Sequence, residues 1–71
     1  MSYQSLIAED LNRLNRTDID PRHVEAYMRL QHGTLDHLSK NQFIEETKIC
    51  IACIDEEGIE DAELLAKSFG I

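Results

Sequence analysis

The side chains of this sequence that could do chemistry begin with a pair of cysteines. Cys50 and Cys53 lie three positions apart, and with His32 and His37 they form the pattern H-x4-H-x12-C-x2-C. Zinc takes four nitrogen or sulfur ligands in a tetrahedron, and side chains at i and i+3 share one face of a helix. These cysteines lie among isoleucines, however, where a free cysteine behaves as a small buried hydrophobe. We therefore expect both thiols in the core, with a small zinc-stabilised module as the alternative.

Acid–base or redox catalysis has little support among the remaining candidates. Three histidines, His23, His32 and His37, have acidic neighbours, but no nucleophile, paired buried carboxylates or glycine-rich phosphate loop accompanies them. A reactive cysteine needs a helix N-terminus or a cation to lower its pKa, and Cys50 lies well inside a predicted helix. The sequence predicts a non-catalytic protein without a cofactor.

Acidic residues are concentrated in the second half of the chain. The net charge is −7, and residues 41–71 contain eight acids against only Lys48 and Lys67. Such a surface repels phosphate backbones and anionic membranes, so we expect no direct nucleic-acid or membrane binding. The densest cluster of acidic residues is either a solvated corner between helices or a patch that binds a basic partner. Its candidate partner-binding residues are Asp55, Glu56, Glu57, Glu60, Asp61 and Glu63.

The elements that position these side chains are predicted to be helices. Ser39 to Gln42 has the pattern of a capping box, with Leu38 and Phe43 as a hydrophobic staple, and predicts a helix over residues 40–57. Gly58 would end it in a Schellman motif with an apolar contact between Ile54 and Ile59. A β-propensity scale favours a strand for residues 49–54, but no partner strand exists elsewhere in the sequence.

Three further helices follow from periodicity and caps. Asp20 and Pro21 suit the N-cap and first position of a helix over residues 21–32, with Ile19 and Val24 as its staple. Apolar residues at helical spacing predict helices at about 3–15 and 60–69. The expected fold is one all-α domain, residues 1–71, in which three main helices and a short C-terminal helix form a small bundle with the third helix central.

The expected function is that of a small interaction or regulatory protein that acts through protein–protein contacts. The sequence has no apolar run of the roughly 18 residues that span a membrane and no signal-peptide pattern, so we expect a cytoplasmic protein. Residues 49–54 are apolar on nearly all sides, which motivates the hypothesis of a homodimer. The charge asymmetry also permits an acidic inhibitor that mimics nucleic acid. Candidate residues for a dimer interface or partner groove are Tyr27, Met28, Leu35, Ile49 and Ile51.

Overall fold

The computed structural model describes residues 2–71 and contains four α-helices. They are α1 (Tyr3–Arg13), α2 (Pro21–His32), α3 (Lys40–Glu57) and α4 (Ile59–Ser68). The all-helical prediction is confirmed, since no strand occurs in residues 2–71, and α2 and α3 have the bounds expected from sequence. Within the same residues, no helix combines the length and apolar character needed to cross a membrane.

Caps that are local in sequence explain the starts of α2 and α3. The Asp20 carboxylate accepts a hydrogen bond from the backbone N–H of Arg22 at 2.9 Å. The Ser39 hydroxyl accepts from the N–H of Gln42 at 3.2 Å, and the Gln42 side chain accepts from the N–H of Ser39 at 2.9 Å. Each bond satisfies a backbone donor that a helix N-terminus would otherwise leave free. The capping box is therefore present in full.

Helix α2 is the most completely buried of the four helices. Six consecutive residues of α2, from His23 to Met28, are buried. Helix α2 contacts each of the other three helices, and so does α3, whereas α1 and α4 do not contact each other. The prediction of a central third helix is thus met only in part. The shared core consists of Ile7, Leu11, Ile19, Val24, Tyr27, Met28, Leu35, Phe43, Cys50, Ile51, Ile54 and Ala62.

The apolar segment of α3 is covered on one side by the chain itself. Cys50, Ile51 and Ile54 are buried in the core, whereas Ala52 is exposed and Ile49 keeps 46% of its surface accessible. The segment is helical throughout, as the sequence analysis predicted, and not a strand. A second copy of the chain is not needed to bury three of its apolar side chains.

Two helix ends differ from the sequence expectation. Helix α1 stops at Arg13 because Asn15 adopts a left-handed conformation with φ of 57°. The backbone N–H of Arg16 then donates to the carbonyl of Leu11 at 2.8 Å, and that of Asn15 donates to the carbonyl of Asn12 at 3.2 Å. These two bonds form a Schellman motif.

The Schellman motif expected at Gly58 is absent. Gly58 has φ of 96° and ψ of 163°, and its N–H donates to the carbonyl of Ile54 at 2.9 Å. Because the chain passes from Gly58 directly into α4, Ile59 is the first residue of that helix and is 62% exposed. Helix α4 accordingly begins one residue earlier than predicted. This one-residue junction, the α3–α4 corner, brings the acidic ends of both helices together.

We expect the substitution Gly58→Ala to lower the free energy of unfolding by about 1–3 kcal/mol, because residues with a Cβ rarely adopt this backbone conformation. An added Cβ would meet no atom within 4 Å, so the loss would arise from the backbone alone. Urea denaturation followed by circular dichroism measures it. The exposed neighbour variant Glu56→Ala should change stability by less than about 0.5 kcal/mol. Equal stability of both variants would contradict the assignment of strain to Gly58.

Candidate functional site: an acidic groove

An open groove of about 700 Å³ lies where the N-terminal end of α2 meets the α3–α4 corner. We call it the acidic groove, since six carboxylates contribute to its walls. Three isoleucines also line the groove: Ile19 and Ile54 are almost entirely buried, and Ile59 is exposed. The lining consists of Asp18, Ile19, Asp20, His23, Ile54, Asp55, Glu57, Gly58, Ile59, Glu60 and Asp61.

The groove contains part of the acidic patch predicted from sequence. Asp55, Glu57, Glu60 and Asp61 line it, whereas Glu56 and Glu63 are exposed outside the lining. Sequence reasoning did not connect Asp18, Asp20 and His23 with this patch. Asp20 had a local signal, but only as a helix cap. The packing of α2 against α3 and α4 brings residues 18–23 to residues 54–61, and no pattern local in sequence encodes that proximity.

The guanidinium of Arg16 pairs with two carboxylates of the groove, and we call this arrangement the guanidinium clamp. Its two terminal nitrogens donate to the Asp55 carboxylate at 2.8 and 2.7 Å, and further bonds of 3.2 and 3.3 Å reach Asp18. Such bidentate pairing is the strongest geometry for a guanidinium and a carboxylate. The hydrogen bonds from Arg16 lower the pKa of both Asp18 and Asp55. The clamp ties the α1–α2 connector to the end of α3.

A second arginine pairs with a carboxylate at the start of α2. The Arg22 side chain donates to Asp20 at 3.0 and 2.7 Å, and these bonds lower the pKa of the Asp20 carboxyl. Asp20 is therefore both the N-cap of α2 and the acceptor of an ion pair. Arg16 and Arg22 together engage three of the six carboxylates around the groove.

The other three carboxylates of the groove lie around the α3–α4 corner. Within residues 2–71, Glu57, Glu60 and Asp61 make no salt bridge within 4.0 Å. Glu60 and Asp61 lie in the first turn of α4, where the helix dipole favours them. Glu57 lies in the last turn of α3, where the dipole opposes a negative charge. Uncompensated negative charge is thus concentrated on the corner side of the groove.

His23 is the one imidazole in the lining. His23 is only 6% exposed. Its Nε2 atom is buried and has no hydrogen-bond partner among residues 2–71. The backbone N–H of His23 donates to the carbonyl of Asp20 at 3.0 Å, which holds the residue in the first turn of α2. His23 thus has one buried ring nitrogen without a hydrogen-bond partner in the described residues.

The candidate zinc ligands, His32, His37, Cys50 and Cys53, do not form a metal-binding group in residues 2–71. The rings of His32 and His37 meet edge to face with centroids 5.7 Å apart. Cys50 is completely buried, and burial raises the pKa of its thiol to about 12, which keeps the thiol protonated at neutral pH. Across residues 2–71, no three histidine, cysteine or acidic side chains are arranged to hold a metal ion. Both cysteines are free thiols, Cys50 in the core and Cys53 packed against its edge.

Of the residues considered for a dimer interface or partner groove, only Ile49 is accessible. Tyr27, Met28, Leu35 and Ile51 are all at least nine-tenths buried in the core. Helix α2 is covered by three neighbours, so Tyr27 and Met28 cannot line an open surface. The apolar stripe of α2 belongs to the folding core.

We expect the variant Arg16→Gln to melt at a lower temperature than the wild type at pH 7. The pKa values of Asp18 and Asp55 are lowered in the folded state from the ordinary 3.8, so the clamp stabilises the protein above that pH. The stabilisation is lost as the pH falls through the lowered values, so the two melting curves should converge in acid. Lys48→Gln, which removes an exposed 3.4 Å pair within α3, is the control and should stay close to the wild type throughout. A melting difference that does not change with pH would contradict the clamp.

The two thiols should react at different rates in the native protein. Iodoacetamide is expected to alkylate Cys53 first, because Cys50 is inaccessible and its pKa is raised by burial. Peptide mass spectrometry after timed quenching separates the two sites. In urea both should react, and Cys53→Ser should remove the fast phase. Faster labelling of Cys50 in the native state would contradict the assigned burial.

Comparisons of the chain with protein-family models, with curated proteins and with solved structures gave no match. No activity, substrate or partner is therefore transferred from a relative. Its chemistry is inferred from this chain's own side chains, and in particular from the carboxylates of the acidic groove.

Proposed function

We propose that this protein is a non-catalytic interaction module that binds a basic segment of a partner protein in the acidic groove. The observation that carries the proposal is that three carboxylates lining an open groove, Glu57, Glu60 and Asp61, make no salt bridge in residues 2–71. Negative charges that line the same groove repel one another. A cationic partner would relieve that repulsion, and the relief would add to the free energy of binding.

The spread of the carboxylates favours a basic polypeptide over a metal ion. Divalent cations need several oxygen ligands within a single coordination sphere. No three acidic or imidazole side chains in residues 2–71 converge in that way. Several separate positive charges along a peptide can each meet a different carboxylate, and the apolar stem of a lysine or arginine can cover Ile59, the exposed isoleucine of the lining.

The composition of the lining supports binding rather than catalysis. It contains carboxylates, one imidazole, three isoleucines and a glycine, but no hydroxyl or thiol side chain that could act as a nucleophile. The proposal also needs no second copy of the chain, since α3 buries Cys50, Ile51 and Ile54 internally. Two free cysteines, one of them fully buried, suit a protein of the reducing cytoplasm.

A protein that mimics nucleic acid would present carboxylates in a row along one face, as phosphates follow a backbone. Here the six carboxylates of the groove surround a single depression at the meeting point of three helices. This arrangement favours a short basic segment over an extended basic groove as the partner.

The binding of a fluorescein-labelled hexa-lysine peptide, measured by fluorescence anisotropy, tests the proposal. We expect the affinity to fall steeply as the ionic strength rises from about 50 mM to about 500 mM, because exposed charge pairs are screened. The double variant Glu57→Gln/Glu60→Gln should bind about threefold to tenfold more weakly than the wild type.

The matched control is Glu9→Gln/Glu45→Gln, which removes the same charge from exposed sites outside the groove. It should bind the peptide nearly as well as the wild type. Equal weakening in both double variants would show attraction by net charge alone and would count against a site in the groove, as would binding that is insensitive to salt.

A further inference from the structure

We propose that a second groove, between α1 and the start of α3, binds a small apolar α-amino acid. Asp10 binds the ammonium group of this zwitterion, and Lys40 lies beside its carboxylate. This groove, which we call the α1–α3 groove, shares no lining residue with the acidic groove. The inference therefore assigns a ligand that the proposed function does not include.

The α1–α3 groove has the size and lining of a site for a small organic molecule. Its volume is about 380 Å³. Sites for small ligands are mostly apolar and carry a few polar groups that fix the orientation of the ligand. The apolar part of this lining consists of Tyr3, Leu6, Leu35, Leu38, Phe43 and Ile44.

Contacts within the chain hold the walls of the α1–α3 groove in place. The ring of Tyr3 stacks on that of Phe43, with centroids 6.2 Å apart and planes inclined by 25°. The Tyr3 hydroxyl donates a hydrogen bond to the Asp36 carboxylate in the connector between α2 and α3. The start of α1 is thus fixed to both the connector and α3, and Asp36 is already engaged.

Asp10 places an incompletely satisfied carboxylate in this groove. Its side chain lines the groove although it is only 8% exposed. Among residues 2–71 it accepts one side-chain hydrogen bond, at Oδ1 from Arg13, whose N–O distance is 3.3 Å. Oδ2 has no such partner there, but unlike Nε2 of His23 it keeps contact with solvent, so a ligand in the groove can reach it.

The electrostatics of Asp10 favour a positively charged donor as its ligand. Burial raises the pKa of the Asp10 carboxyl, because few donors replace the water that the carboxylate loses. The negative charge of exposed Glu9 raises this pKa further. An ammonium group supplies both N–H donors and the opposite charge, and charge-assisted hydrogen bonds are the stronger kind.

Lys40 and the N-terminal end of α3 provide positive charge in the same groove. Lys40 makes no salt bridge within 4.0 Å in residues 2–71. The first turn of this 18-residue helix contains no acidic residue, so the positive end of the helix dipole is not offset there. The charge of Lys40 also acts on Asp10, where it opposes the rise in pKa. The two side chains are therefore near enough for one small molecule to contact both.

The combination of both charges in one apolar groove favours a zwitterion. A simple amine would leave Lys40 without a counter-charge, and a simple acid would leave Oδ2 of Asp10 without a donor. A free α-amino acid carries both groups on one carbon, and its side chain can cover the half-buried Leu6 and Leu38. A groove at the small end of the range for ligand sites suits a side chain the size of leucine or phenylalanine.

Titration of ¹⁵N-labelled protein with L-phenylalanine, followed through the backbone amide resonances, tests the inference. We expect the resonances of Lys40 and Asn41 to shift and to saturate, with a dissociation constant of about 1 mM or below. L-phenylalanine amide lacks the carboxylate, and N-acetyl-L-phenylalanine lacks the ammonium group. Each should bind about tenfold more weakly, because each loses one charge-assisted contact.

Two variants assign the charges of the ligand to their partners. Asp10→Asn should weaken binding of phenylalanine about tenfold and leave binding of the N-acetyl compound unchanged. Lys40→Gln should weaken binding of phenylalanine and leave binding of the amide unchanged. Lys48→Gln removes an exposed lysine of α3 outside the groove and is the matched control. Lys40 is itself exposed, so Lys40→Gln tests the inference even if Asp10→Asn does not fold, which thermal melting establishes.

The absence of saturable shifts with phenylalanine would overturn the inference, as would equal weakening by Lys40→Gln and Lys48→Gln. If the amide binds as tightly as phenylalanine, the groove receives the N-terminus of a peptide. If the N-acetyl compound does so, the groove receives a C-terminus. Either result would overturn the assignment of a free amino acid. The acidic groove is tested separately by hexa-lysine, so the proposed function stands or fails independently of these results.

Discussion

Burial of α2 is the constraint on which the rest of this structure depends. A chain of 71 residues can form only one core, and here six consecutive residues of one helix, His23 to Met28, are removed from solvent. A helix buried along such a stretch needs neighbours on several sides, and α1, α3 and α4 occupy those sides. Each of these helices packs against α2. The acidic groove is a consequence of that packing, since it opens where the N-terminal end of α2 meets the α3–α4 corner.

Repulsion between carboxylates opposes the local stability of the α3–α4 corner, which borders the acidic groove. Asp55, Glu56 and Glu57 crowd the C-terminal end of α3, where neither the helix dipole nor a basic residue of the same turn compensates them. Arg16 offsets Asp55 from a position 39 residues away in sequence. Glu57 and the two acids at the start of α4 have no salt-bridge partner in the part of the chain that the structure describes. A protein of this size has little stability to spare, so unpaired charge of this kind suits a surface that meets a cation.

The sequence predicted the helices well wherever the determining interactions were local. The bounds of α2 and α3 followed from Asp20 and from the Ser39–Gln42 capping box, whose bonds join residues two or three positions apart. The end of α1 was missed because the residue in the left-handed conformation is Asn15 and not a glycine. At Gly58 the glycine was recognised, but not its conformation, because the direction that α4 takes depends on its packing against α2.

The sequence by itself determined that this chain is helical, where most helices start, and that its negative charge gathers at residues 55–63. It could not determine that Asp18, Asp20 and His23 face that patch, that Arg16 neutralises Asp55, or that Tyr27 and Met28 are core residues. Those features belong to the tertiary structure alone. The physical reason is that caps and periodicity act within a few residues along the chain, whereas the groove, the clamp and the burial of α2 arise from contacts between helices whose mutual arrangement is decided by how the whole core packs.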